Sequence, residues 1–163
     1  MAFKIFVSYS TRDLSQVELL KQQLQGTPID VFVAEHSVAP SQELAPAIAS
    51  AIGSCDLFIL LWSENARASD WVQQEIGRAS ALGKTILPLV LSEKVLLPGF
   101  IQGLKYLQIH RDPEGSLSEA RSLILAEYQK KELFLASQAK EKKDKDALAF
   151  MGIGAFLLWA FSK

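Results

Sequence analysis

The sequence is poor in the residues that most metal and redox sites need. Its 163 residues include one cysteine and two histidines, so an intramolecular disulfide is excluded, and neither CxxC nor HxxxH spacing occurs. Cys55 directly precedes an apolar segment, where a small buried residue is expected more often than a reactive thiol. We therefore expect no metal site in this chain.

A large excess of charge of one sign is also missing, as are the familiar phosphate-binding and hydrolase motifs. The formal net charge is −1, so nucleic acid is not an expected partner. The sequence contains no GxxxxGK[ST] loop, no GxSxG and no HExxH, and the first strand runs into Ser8-Tyr9-Ser10 instead of GxGxxG or an acidic pair. This excludes the common nucleotide-binding loops, zinc proteases, α/β-hydrolases and response regulators as starting hypotheses.

Short apolar segments alternate with segments of helical period along most of the chain. Apolar strands separated by helices are typical of a parallel sheet that is covered on both faces. The predicted fold is an α/β, flavodoxin-like doubly wound sandwich with a five-stranded parallel sheet. The predicted strands are 4–9, 30–34, 56–62, 85–91 and 106–109, and the predicted helices are 14–24, 43–53, 69–81 and one from about 116 or 118 past 128.

Three local signals add detail to this prediction. Asp13 precedes an apolar helical face and has Gln16 three residues later, which is typical of a capping box. Ser69 is expected to cap the helix that ends before Gly83. Pro88 removes a hydrogen-bond donor from the fourth strand, so we expect a bulge or an edge-like stretch there.

The C-terminal part differs in composition from the rest. Residues 1–130 are predicted to form the folded domain, residues 131–146 a charged helical linker, and residues 147–163 an apolar helix. Four lysines between 140 and 145 precede the apolar run, which favours a membrane anchor with the domain in the cytoplasm. At 1.5 Å per residue the run is short for a bilayer core of about 30 Å. An oligomerising or core-docking helix on a soluble protein is the alternative.

Trp71 and Glu75 stand four positions apart in the helix that follows the third predicted strand. Residues at i and i+4 share one helix face, and ligands bind at the carboxyl ends of strands in open α/β sheets. An aromatic ring beside one carboxylate suits a ring-bearing substrate that is cationic or forms an oxocarbenium ion. The alternatives are a solvated ion pair between Glu75 and Arg78, and a core position for Trp71.

Several segments together resemble the TIR (Toll/interleukin-1 receptor) domain over residues 3–128. Phe6-Val7-Ser8-Tyr9-Ser10 with Asp13 is similar to the first sequence box of that family. Residues 30–34 and the loop to Gln42 resemble its second box and BB loop, although Ala39-Pro40-Ser41 replaces the usual glycine-containing step. Ser69-Asp70-Trp71-Val72-Gln73-Gln74-Glu75 matches the S-x-W-x-x-x-E signature.

The resemblance implies one of two functional classes. Many TIR domains are adaptors that assemble through the BB loop, here residues 36–42. Others cleave NAD at the nicotinamide–ribose bond, which makes NAD the substrate and requires no cofactor. We expect the enzymatic class, with nicotinamide and ADP-ribose or a cyclic ADP-ribose isomer as products. An N-ribosyl-transferring enzyme acting on nucleosides or nucleotides is a third possibility.

The resemblance also implies roles for individual residues. Glu75 is expected to be the catalytic residue, and Trp71 is expected to shape the pocket beside it. The other expected substrate-binding residues are Ser8, Tyr9, Ser10, Arg12 and Pro40, with Arg12 pairing with a phosphate. The compact one-domain layout of this chain resembles that of bacterial TIR proteins of antiphage defence, so self-association and a signalling role are expected as well.

Overall fold

The chain carries a five-stranded, fully parallel sheet, as predicted. The computed structural model describes residues 2–33 and 44–161, with side chains up to residue 145. The strand order is β2-β1-β3-β4-β5, which is the flavodoxin-like order of a doubly wound sheet. The strands are β1 Phe3–Ser8, β2 Ile29–Val33, β3 Leu57–Trp62, β4 Ile86–Val90 and β5 Leu107–Gln108.

Five described α-helices connect or follow these strands. They are α1 Leu14–Gln23, α2 Leu44–Ser54, α3 Glu64–Arg67, α4 Asp70–Ala81 and α5 Pro113–Phe161. Gly26 and Gly83 follow α1 and α4 with φ of 73° and 62°, the left-handed conformation in which glycine ends helices. The helix end predicted at Gly83 is therefore confirmed, and Gly26 ends α1 in the same way.

An aromatic stack forms the centre of one sheet face. The ring of Phe6 on β1 stacks on Phe58 of β3 at 5.4 Å and on Phe32 of β2 at 5.5 Å between centroids. Val72 and Ile76 of α4 belong to the same core cluster as Phe6. This packing holds α4 against β1, which lies between β2 and β3 in the sheet, and it brings the first turns of α4 close to the end of that strand.

Pro88 lies in regular register, opposite Leu60 of β3, so the expected bulge is absent. The expected edge-like stretch is present, because β5 pairs with β4 only at Leu89 and Val90. A proline can occupy this position because the ladder on the β5 side has not yet begun there.

Asp13 does not act as the predicted capping residue. Its side chain makes no cap hydrogen bond with α1. Its carboxylate instead accepts from Ser63 Oγ at 2.5 Å and from Asn65 Nδ2 at 2.9 Å. The tertiary partners after β3 therefore replace the local ones, and they join the loop after β1 to the loop after β3.

The helix predicted from Ser116 or Ser118 begins earlier, at Pro113. Asp112 precedes it, with Oδ1 accepting from Gly115 N–H at 3.0 Å and its carbonyl accepting from Ser116 N–H at 2.9 Å. An acidic cap followed by proline at the first helical position is a favourable helix start. The cap at Asp112 was the sequence signal that the prediction overlooked.

Contact density divides the chain into two compact units, residues 1–124 and 125–163. The first contains the sheet, and the second is helical up to residue 161. The structure does not support the membrane-spanning helix predicted for residues 147–163, since no helix in the described part of the chain is long and apolar enough to cross a bilayer.

Candidate active site

A cavity of about 320 Å³ lies where β1 ends, beside the first turns of α2 and α4. In a sheet of order 2-1-3-4-5, successive connections leave β1 and β3 in opposite directions, so a crevice forms at their carboxyl ends. The described residues that line it are Val7, Tyr9, Ser10, Thr11, Leu44, Ile48, Ser69, Trp71 and Glu75. The site is thus mainly apolar, with several hydroxyl groups and a single ionisable carboxyl group.

Glu75 is the buried acid of this cavity. Only 7% of the residue is exposed, and its Oε2 accepts a hydrogen bond from Ser8 Oγ at 2.5 Å. Burial raises the pKa of Glu75 to about 7, and the Ser8 hydroxyl opposes this rise because it favours the charged form. Because Glu75 is buried, it does not form the alternative solvated ion pair with Arg78, which is an exposed residue of the same helix.

Trp71 lies one helical turn before Glu75 and also lines the cavity. The residue is 49% exposed, so it is not a core residue, which was the alternative interpretation. A half-exposed indole at the mouth of a cavity provides a flat π surface for a ring or a cation. The two residues therefore offer an aromatic surface and a carboxyl group on one side of the same opening.

The loops around the cavity are held by side-chain caps. Ser69 Oγ accepts from Val72 N–H at 3.4 Å and starts α4, as predicted. Ser63 Oγ accepts from Ala66 N–H at 3.0 Å and starts the short helix α3, which the sequence analysis missed. Since Ser63 also donates to Asp13, the loop that carries Tyr9 to Thr11 is tied to the segment that leads into α4.

The structure brings four of the seven predicted site residues to the cavity wall: Tyr9, Ser10, Trp71 and Glu75. Ser8 contacts Glu75 but does not line the cavity. Arg12 is exposed on a 3-10 turn, Thr11–Asp13, and is not among the lining residues. Pro40, with the rest of the predicted BB loop, lies outside the described residues.

Five lining residues were not predicted as site residues: Val7, Thr11, Leu44, Ile48 and Ser69. Leu44 and Ile48 stand four positions apart on one face of α2, and Ser69 was expected only as a cap. A cavity wall and a core face produce the same apolar pattern in sequence, so periodicity alone could not separate them. Within the described residues, no group of three or more histidine, cysteine or acidic side chains could hold a metal ion.

Cys55 is buried and forms no disulfide. Burial raises the pKa of its thiol, which disfavours the reactive thiolate. This agrees with the structural role expected for the lone cysteine.

Solved structures share this fold at low sequence identity. The TIR domain of the Toll-related receptor TRR-2 from Hydra magnipapillata superposes with a TM-score of 0.64 at 19% identity, covering 76% of this chain and 97% of that one. The Clostridium botulinum CMP N-glycosidase BcmB has a TM-score of 0.52 at 24% identity, covering 69% and 95%. The TIR domains of the activated Roq1 resistosome have a TM-score of 0.51 at 15% identity, covering 76% and 83%.

No curated protein is a significant match to the chain. A family model described as TIR domain matches residues 5–125, which is most of the chain and includes every residue of the cavity wall. The predicted resemblance is thereby confirmed, and the chain belongs to the TIR-domain family.

Proposed function

We propose that this protein is an NAD glycohydrolase or cyclase that cleaves the nicotinamide–ribose bond. The observation that carries the proposal is the buried Glu75 carboxyl in a cavity whose mouth is formed by Trp71. The products are nicotinamide and either ADP-ribose or a cyclic ADP-ribose isomer. Water attacks the ribose carbon in the first case, and a nucleophile of the same molecule attacks it in the second.

The chemistry of the leaving group matches a site with one carboxyl group. The glycosidic nitrogen of NAD is cationic, so nicotinamide leaves as a neutral ring without being protonated. Glycosidases that expel an oxygen leaving group use two carboxyl groups, partly because that oxygen needs a proton. Here the demand is for negative charge near the ribose, which becomes oxocarbenium-like as the bond breaks. Ionised Glu75 would provide that charge in a largely apolar cavity.

A pKa of about 7 leaves Glu75 close to half ionised at neutral pH. A cation placed beside the carboxyl favours its charged form, so binding of the nicotinamide cation supplies the condition under which Glu75 works. The half-exposed Trp71 ring would add a cation–π contact, worth about 0.5–2 kcal/mol. Substrate binding and ionisation of the acid therefore support each other.

The size of the cavity limits which part of NAD it would hold. A volume of about 320 Å³ lies at the low end of the range for ligand sites, roughly 300–1,000 Å³. We expect the nicotinamide riboside half to lie inside and the adenylate half to lie outside this cavity. No lysine, arginine or histidine is among the described lining residues, so the diphosphate is expected to be held elsewhere.

Hydrolysis of a nucleotide N-glycosidic bond is the second candidate function. It is favoured by the likeness in fold to a CMP N-glycosidase and by the raised pKa of Glu75. A carboxyl group that retains its proton near pH 7 can act as a general acid. Cytosine, unlike nicotinamide, is bonded to the ribose through an uncharged nitrogen, so its departure is helped by a proton.

The pH dependence separates the two candidates. If Glu75 acts as a carboxylate on NAD, kcat/KM rises with pH and levels off above about 7. If it acts as an acid on CMP, kcat/KM falls as pH rises through the same value. The full chain should be incubated with NAD, CMP and free nucleosides between pH 5 and 9, and the released bases quantified by chromatography.

Glu75→Gln is the decisive variant, because it retains the size of the side chain and removes its charge. We expect nicotinamide release to fall at least about a hundredfold, the scale on which one transition-state contact acts. Glu119→Gln, an exposed glutamate on α5, is the matched control and should retain full activity. Equal nicotinamide release by parent and Glu75→Gln, including none from either, would rule out the proposed cleavage of NAD by Glu75.

The proposal extends to assembly and cellular context. The Roq1 resistosome is an assembly whose TIR domains share this fold, so self-association of this chain is expected to accompany activity. A role in antiphage defence signalling from the cytoplasm completes the proposal. The competing adaptor function would act through residues 36–42 and would leave NAD intact.

A further inference from the structure

Ser8 is placed behind the cavity wall and not on it. It is the last residue of β1 and is 1% exposed, whereas Val7 and Tyr9 on either side line the cavity. Side chains alternate between the two faces of a strand, so Ser8 shares a face with Phe6, which packs against α4. This alternation brings the Ser8 hydroxyl under Glu75, and it removes Ser8 from the surface that a substrate would contact.

The hydrogen bond from Ser8 engages one of the two oxygens of the Glu75 carboxyl group. Oε2 accepts from Ser8 Oγ at 2.5 Å, a short distance of the kind found when a hydroxyl donates to a charged group. Among the described residues, Oε1 has no hydrogen-bond partner, and Glu75 lines the cavity. One oxygen is therefore held by the protein, while the other remains available to a ligand.

We propose that Ser8 is a positioning residue for Glu75: its hydroxyl holds Oε2, turns Oε1 towards the cavity, and sustains the ionised carboxyl against the cost of burial. The effect of this positioning role on catalysis rests on the proposed function. The role replaces the direct substrate contact first expected for Ser8. It is also distinct from the roles open to Ser10 and Ser69, whose hydroxyls belong to cavity-lining residues.

Loss of this hydroxyl should change the pH dependence of the reaction. In Ser8→Ala the pKa of Glu75 is expected to rise by about one pH unit, because a hydrogen bond to the charged form is lost. At pH 7 about one tenth of Glu75 is then ionised instead of about half, so kcat/KM falls about fivefold more at pH 7 than at pH 9. Ser8→Thr retains the hydroxyl and should restore the parent profile.

Ser10→Ala is the comparison for a serine of the cavity wall. If it removes a substrate contact, its loss of kcat/KM should be the same at pH 7 and pH 9. A pH-independent loss in Ser8→Ala as well, or a profile that coincides with that of the parent, would overturn the positioning role. Circular dichroism of each variant checks that the fold is retained.

A second measurement tests the role of Ser8 without relying on catalysis. The carboxyl ¹³C resonance of Glu75, assigned by its absence in Glu75→Gln, reports the pKa of that group directly. The midpoint should lie about one pH unit higher in Ser8→Ala than in the parent. An unchanged midpoint overturns the positioning role even if NAD is cleaved. A raised midpoint in a protein that cleaves no NAD supports the contact and rejects only the proposed function.

Discussion

Replacing Glu75 by glutamine is expected to stabilise this protein at the same time as it removes the proposed activity. The pKa of Glu75 is raised from its ordinary value of 4.5 to about 7, and burial is the largest cause. Between these two values the unfolded chain releases the proton, while the folded protein retains it. Stability from this group is therefore greatest at low pH and is lost as pH rises from about 4.5 to 7.

The size of the effect follows from the pKa difference. Each pKa unit corresponds to about 1.4 kcal/mol, so ionisation of buried Glu75 costs about 3 kcal/mol of unfolding free energy above pH 7. Glutamine is neutral at every pH and can still hydrogen-bond to Ser8. We expect the unfolding free energy of Glu75→Gln to exceed that of the parent by about 1 kcal/mol at pH 5 and by about 3 kcal/mol at pH 8. For a chain of this length the difference at pH 8 corresponds to roughly 10 °C in Tm.

Urea denaturation followed by circular dichroism at pH 5, 6, 7 and 8 measures this gap. Glu119→Gln serves as the control, because an exposed carboxyl group should give no pH-dependent difference. A gap that is the same at pH 5 and pH 8, or a variant less stable than the parent at pH 8, would refute the reasoning. Either result would mean that the Glu75 carboxyl is solvated in the folded protein. The confirmed result would identify a trade of stability for activity.

Three further changes have distinct expected outcomes. Trp71→Ala should raise the KM for NAD about tenfold, because the half-exposed ring would no longer offer a cation–π contact. An unchanged KM would show that the ring does not contact the substrate. Asp13→Ala should lower the unfolding free energy by about 2 kcal/mol, because the hydrogen bonds from Ser63 and Asn65 are lost; urea denaturation that matches the parent within about 0.5 kcal/mol would contradict this. Removal of residues 147–163 tests the anchor predicted from the sequence: transfer of the protein from the membrane to the soluble fraction on ultracentrifugation of cell lysates would support it, and an identical distribution of both chains would reject it.

Much of the fold follows from local pattern. The apolar strands, the helix ends at Gly26 and Gly83, and the cap at Ser69 depend on residues that are close in sequence, so their physical causes can be read there. Asp13 shows where this approach stops. A local capping box is available to it, but the carboxylate bonds instead to Ser63 and Asn65, about fifty residues away. Such a choice depends on which loops meet after folding.

The candidate site divides in the same way. The spacing of Trp71 and Glu75 places both on one helix face, and the alternation along β1 separates Ser8 from Val7 and Tyr9. The sequence cannot show that Glu75 is 7% exposed while Trp71 is 49% exposed. Nor can it show that Arg12, one loop away, stays in solvent.

The sequence by itself determined the family, the parallel sheet and the helix face that carries Trp71 and Glu75, because these depend on residue type and spacing. Only the tertiary structure decided that α4 packs on β1, which buries Glu75 over Ser8 and leaves a cavity beside it. The physical reason is that desolvation and the Ser8 hydrogen bond arise only when two segments 67 residues apart come together. These two effects set the charge of Glu75, and with it the chemistry the site can perform.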